Sequence, residues 1–286
     1  MWTWLSEPFA PEFMRMALYA VIITASGCAA LGVQVVLRRM AFMGDAMAHA
    51  TLPGVVMAFI LSTHLLLGAL AAALLAALGI AWVSRHQRVS EDSAIGILYT
   101  AMFAVGVIIL QRVGTYRDLA HVLVGNPMGV DNASLVYMSV VVAGVLVTLL
   151  LLRRQLAVTL IDPHYAASLG ISPHRMRAVV LVLCAAMVVA AMTLVGVILT
   201  AALIITPAAA ARLICRSLWS TTLVSMGIAV FGCVAGIIIA YHADLAMGAT
   251  MVVMVSVVFA LVWGVSCIPL PRRSLTPSEG ANTAPP

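Results

Sequence analysis

Residues 178–211 read AVVLVLCAAMVVAAMTLVGVILTAALIITPAAAA, an apolar run without a single charge. As one helix it would extend about 50 Å, well beyond the roughly 30 Å of hydrocarbon in a bilayer. The run must therefore turn or re-enter the membrane. Arg175 and Arg177 precede it, and Arg212 and Arg216 follow it. Basic residues collect on the cytoplasmic side of membrane proteins, so both ends are expected there and the number of passes is even. The turn is expected near Leu194 to Gly196.

Working outward, clear apolar segments run Met14 to Leu37, Ala41 to Leu61, Leu65 to Val83, Ser93 to Leu110, Ala133 to Leu152, Leu218 to Ala240 and Ala246 to Cys267. With two passes for the central run, these make an all-α, polytopic transmembrane helical bundle of nine spans, N-terminus outside and C-terminus inside. A composition of 64% hydrophobic and 9% charged residues excludes a water-soluble domain. A β-barrel is excluded as well, because its segments of about 10 residues alternate apolar and polar, whereas both faces of these segments are apolar.

The charges test the topology. All 15 basic residues are arginine, and nine spans leave only Arg15, Arg112 and Arg117 outside. Adding or removing one span would scramble that separation. Residues 1–13 then form an extracytoplasmic segment, with Trp2, Trp4, Phe9 and Phe13 suited to the headgroup level. Glu7 and Glu12 come before any basic residue and no small-residue cleavage site follows, unlike a signal peptide. Residues 14–268 form the membrane domain. Residues 269–286 are polar and rich in Pro and Ser, and read as a disordered cytoplasmic tail.

Cys28, Cys184, Cys215, Cys233 and Cys267 stand singly with no Cys-x-x-Cys spacing, so neither a zinc knuckle nor a disulfide framework is indicated. The informative polar residues are elsewhere. The second span begins AFMGDAMAHATLPG, which puts Asp45 and His49 four residues apart on one helix face. Counted from Arg39 at the interface, His49 lies about 15 Å deep. A carboxylate at such depth costs roughly 2.5 to 3.5 kcal/mol and usually faces a cavity or a substrate path. Carboxylate oxygen with imidazole nitrogen suits Mn²⁺, Fe²⁺ or Zn²⁺, and the lack of a nearby thiolate argues against Cu(I). The plainer reading is that Asp45 caps the helix after Gly44 and His49 bonds a neighbouring carbonyl. Pro53 and Gly54 should loosen the helix just beyond, as in the broken helices of transporters, and they equally suit a mere kink.

Weaker candidates lie at the outer ends: Asp118 and His121 in RDLAHVLVGNP, and His242 and Asp244 in YHADL. They can line an access route for metal or be solvated loop residues. Glu91 and Asp92 open the fourth span beside Arg85 and Arg88, where the helix N-terminus and ion pairing account for them. Gly232 and Gly236 form a G-x-x-x-G that allows close helix approach, for bundle packing or a dimer seam.

The longest cytoplasmic connection, about residues 154–177, contains DPHYAASLG. Asp162 suits an N-cap, Pro163 the first helical position and Gly170 the C-terminal stop. A short capped helix outside the membrane fits docking onto a partner, or simply an interfacial helix. A Walker A loop needs a lysine, and the chain has none. Any ATP drive must come from another polypeptide. H-E-x-x-H and G-x-S-x-G are absent too, so no enzyme is expected.

Six ordered blocks carry a resemblance: VVLRRMAFMGDAMAHATLPGV, SEDSAIGILYTAMFAVGV, DLAHVLVGN, IDPHYAASLGI, TLVGVILTAALIITPAAAARL and AYHADLAMGAT. Across roughly Gly27 to Val257 the chain resembles the permease subunits of manganese, zinc and iron ABC importers, the group often called ABC-3. VLVGNPMGV departs from that pattern, which commonly has Phe before the Gly and no Pro after it. The resemblance implies a homodimer of permeases in the bacterial cytoplasmic (inner) membrane. It also implies two cytoplasmic ATPase subunits that bind ATP and an extracytoplasmic metal-binding protein. The cargo is then a divalent metal, and Asp45 and His49 coordinate it. The coupling segment implied is Asp162, Pro163, His164, Tyr165, Ala166, Leu169 and Gly170. Membrane lipid is the surrounding medium, and nucleic acid is not an expected partner. The rival readings are an ion-coupled secondary carrier and an ABC permease for a metal chelate.

Overall fold

The computed structural model describes residues 7–85, 90–113 and 131–267. Asp118 and His121, residues 1–6 and the tail from residue 268 lie outside the described residues. Among those described, the chain is helical with no strand, and 9 helices are long and apolar enough to cross a membrane. The all-α polytopic bundle expected from the sequence is the fold.

In chain order the helices are α1 Glu12–Leu37, α2 Met43–Ala50, α3 Leu52–Ile60, α4 Leu65–Val83, α5 Glu91–Val113, α6 Asn132–Leu151, α7 Arg153–Ile161, α8 Pro163–Ser168, α9 Pro173–Val195, α10 Val197–Ile214, α11 Leu218–Ala243 and α12 Met247–Cys267. The second span is thus two helices, α2 and α3, joined at Thr51. The break falls two residues before Pro53, because proline cannot donate to the carbonyl four residues back and the helical ladder fails there. Thr51 Oγ1 donates to Ala48 O at 2.6 Å, satisfying a carbonyl at the break.

The central apolar run divides where its length required. Gly196 separates α9 from α10 with φ 85° and ψ 165°, a left-handed value that a side chain would resist. A single residue therefore makes the turn.

Burial sorts the helices into an inner and an outer set. The most apolar windows of α1, of α2 with α3, and of α9 are each 67% buried, whereas those of α6 and α12 are 17% buried. Large apolar side chains such as Leu75, Ile108, Val140, Phe231 and Trp263 point outward, where a bilayer is the only solvent that tolerates them in such number. The inner helices approach closely through small residues. Gly32 of α1 lies against the backbone of Ile204 in α10, and Gly54 of α3 and Gly68 of α4 face each other's carbonyls. The Gly232 and Gly236 pair rests on α12 of the same chain: a Cβ at Gly236 would lie 2.6 Å from Met251 Cα. It is a bundle-packing pair within one chain.

Several arginines gather at one end of the bundle. Arg38 Nη2 at the end of α1 donates to Thr159 Oγ1 of α7 at 3.2 Å. Arg153 and Arg154 open α7 and share a groove with Ser217 and Leu218 at the start of α11. Arg85 after α4 and Arg175 in α9 line a second cavity. The α7 and α8 connection sits at this end.

Candidate metal site

Asp45 and His49 project from α2 on one face, with Asp45 Oδ1 3.5 Å from His49 Nε2. Their side chains are 52% and 39% exposed in the protomer, so both open onto its surface. The opposite face of α2 is packed: Met43, Ala46, Met47 and Ala50 are buried against α4, α5, α9 and α10. Burial of that apolar face turns the two polar side chains outward.

The capping reading does not hold. Helix α2 starts at Met43 after Phe42 and has no side-chain cap hydrogen bond, so Asp45 lies within its first turn, on the helix side of the cap position. Nor does His49 bond a backbone carbonyl among the described residues. Its ring instead meets two aromatic rings of α5, with centroids 5.4 Å from Phe103 in an edge-on arrangement and 6.4 Å from Tyr99. These two residues, themselves four apart, wall the pair on one side. The sequence reading missed them, although their i, i+4 spacing in an otherwise aliphatic helix was visible.

The same face is held in place by the break. Gly106 of α5 brings that helix against α3, where a Cβ would lie 2.9 Å from Pro53 N. Thr51 is fully buried, and its hydroxyl also lies 3.7 Å from Met192 Sδ of α9. The end of the pair's helix is therefore clamped between two other spans.

Among the described residues no group of three or more His, Cys, Asp or Glu side chains is placed to hold a metal. The pair therefore supplies two donors from one chain, and His242 and Asp244 do not join it. Asp244 adopts the left-handed conformation, φ 52°, as the residue that ends α11, and the His242 ring lies edge-on to Tyr241 at 5.3 Å. Cys28, Cys184 and Cys233 are buried free thiols in the bundle, in keeping with packing residues.

The second sequence candidate forms as its residues dictate. Asp162 Oδ1 accepts from His164 N at 2.9 Å and Tyr165 N at 3.0 Å, Pro163 opens α8, and Gly170 stops it with φ 77°. Ala166 is buried, while Ile161, Tyr165 and Leu169 stand exposed four residues apart. Tyr165 and Leu169 thus form a small apolar patch on and just after α8, while Ile161 ends α7 and is separated from it by the extended Asp162, φ −142° and ψ 101°.

A family model of the ABC 3 transport family matches residues 10–266. The chain belongs to the ABC 3 transport family. Among its ABC 3 relatives, the chelated iron transport system membrane protein YfeD of Yersinia pestis is 35% identical over 286 residues, covering 98% of this chain and 96% of the relative. The manganese transport system membrane protein MntC of Halalkalibacterium halodurans is 36% identical, covering 88% and 87%. The solved structure of PsaBC from Streptococcus pneumoniae in complex with Fab superposes with a TM-score of 0.78 at 30% identity, over 91% of this chain and 94% of that one. The six sequence blocks thus pointed to the right family, and the ABC 3 fold holds along nearly the whole chain.

Proposed function

We infer that this chain is the membrane-spanning permease of an ATP-driven importer for a divalent transition metal, manganese or zinc foremost, with iron as a further cargo. The observation that carries the reading is the Asp45 and His49 pair, two donors on one open face of a broken span. Relatives named for manganese and chelated-iron transport support it.

Two donors are too few to strip a divalent ion of its water, since such ions take four to six ligands. A second copy of the chain, presenting the same pair across a two-fold axis, would supply two more donors and cover the exposed face. The resting site is then shared between protomers, and Phe103 and Tyr99 keep bulk water from one flank of it.

ATP is bound by a separate cytoplasmic ATPase dimer, because the chain lacks the phosphate-loop lysine. Its docking element is α8, through the exposed Tyr165 and Leu169, with Ile161 exposed at the neighbouring end of α7. Closure of the ATPases would push α7 and α8, which Arg38 ties to the end of α1, and rock the inner helices around the metal pair. The arginine-bearing end faces the cytoplasm of a bacterial inner membrane, which puts the N-terminus outside and the C-terminus inside. An extracytoplasmic binding protein would deliver the ion at the opposite end.

The deciding experiment is uptake of labelled Mn²⁺, Zn²⁺ and Fe²⁺ into vesicles containing the reconstituted complex, with and without ATP. ATP-dependent accumulation that is lost in D45A and H49A, at unchanged protein level, is the expected result. Uptake that needs only an ion gradient would identify a secondary carrier. Uptake of a metal chelate unaffected by both substitutions would identify a chelate permease.

A further inference from the structure

A groove of about 570 Å³ opens between α6 and α11, floored by Ala30 and Gln34 of α1 and closed at one end by α7. It is separate from the metal pair. Its deep part is aliphatic, with Leu146 and Leu149 of α6 facing Leu223 and Met226 of α11. Toward the arginine-bearing end the lining changes to Trp219, Ser217, Arg153 and Arg154. From Leu146 to the end of α6 at Leu151 is about 8 Å along the helix, and Arg153 opens α7 two residues later, so the wall passes from aliphatic to guanidinium over a short stretch of chain. Both arginines are exposed, and no hydrogen bond or ion pair engages either side chain among the described residues.

A second observation concerns the floor. Gln34 Oε1 is buried with no hydrogen-bond partner among the described residues, and an orphaned buried acceptor is costly. Gln34 also lines the groove, so a donor seated there would satisfy it. We propose that this groove binds an anionic glycerophospholipid, a phosphatidylglycerol, with its acyl chain along α6 and α11. The phosphate lies at Arg153 and Arg154, and a glycerol hydroxyl of the headgroup donates to Gln34. Basic pockets between membrane helices recognise anionic headgroups in this way, and Trp219 suits the interfacial level. Phosphatidylcholine offers the same chains and phosphate but carries a compensating cation and no headgroup donor.

The test uses the full chain with Trp219 as its only tryptophan (W2F, W4F, W82F and W263F) in phosphatidylcholine vesicles. Fluorescence is followed as brominated phosphatidylglycerol or brominated phosphatidylcholine is added. The proposal expects phosphatidylglycerol to quench preferentially, with the preference falling about fivefold in R153Q and again in R154Q, while R153K/R154K keeps most of it. Q34L should lower the preference for phosphatidylglycerol over brominated phosphatidic acid, which lacks the glycerol donor. Equal quenching by the glycerol and choline lipids overturns the proposal. So does a preference that survives both single glutamine variants.

Discussion

Asp45 Oδ1 and His49 Nε2 lie 3.5 Å apart, one helical turn from each other, on the open face of α2. The distance is short enough for a single cation to bridge both atoms, with ligand bonds of about 2.0 to 2.2 Å to nitrogen and oxygen.

Replacing either donor should therefore abolish transport more than tenfold while leaving the protein in the membrane, because both side chains face outward and neither supports the core. Uptake of labelled metal, normalised to permease measured by immunoblot, checks this. D45N should be nearly as damaging as D45A, since it keeps the shape but removes the charge that attracts the ion.

Thr51 is buried at the junction of α2 and α3, and its hydroxyl serves Ala48 O. T51V keeps the β-branched shape but removes the short bond, leaving Ala48 O the longer one from Thr51 N at 3.4 Å, at a cost of about 0.5 to 1.5 kcal/mol. T51S should recover most of the loss. Thermal unfolding of the purified protein in detergent is the measurement, and equal midpoints for wild type and T51V would refute the bond's importance.

Gly54 and Gly68 face each other's backbone with no room for a methyl group. G54A and G68A should each destabilise by about 1 to 3 kcal/mol through overpacking. Among the described residues nothing lies within 4 Å of a Cβ placed on Gly96, so G96A serves as the matched control and should be neutral or slightly stabilising.

Substitutions at the cap and at the exposed residues of α8 test its folding and its proposed docking separately. D162A removes the acceptor for two amide groups and should cost the short helix about 1 kcal/mol, with D162N recovering it. Y165A and L169A leave the helix formed but remove exposed apolar area. They should weaken co-purification with the ATPase subunits and uncouple ATP hydrolysis from uptake.

Much of this was legible in one dimension, because a membrane constrains sequence more tightly than water does. Twenty apolar residues name a span, and an Asp-Pro start with a Gly stop defines α8 from local backbone chemistry. The Gly196 turn was legible for the same reason: a run too long for one crossing contains one residue free to take positive φ. Pro53 and Gly54 pointed to a loosened helix or a kink; that the span divides into two helices at Thr51 is decided by the structure.

Local chemistry in the chain, then, was enough for the helical class, the number of passes and the pairing of a carboxylate with an imidazole one turn away. Only the tertiary structure decided which way that pair looks, which rings of α5 flank it, and that Gly232 and Gly236 serve α12 of the same chain. The reason is geometric. Helical periodicity relates residues within one segment, while facing, flanking and closest approach are set by neighbours far along the chain, whose small residues determine how near each helix can come.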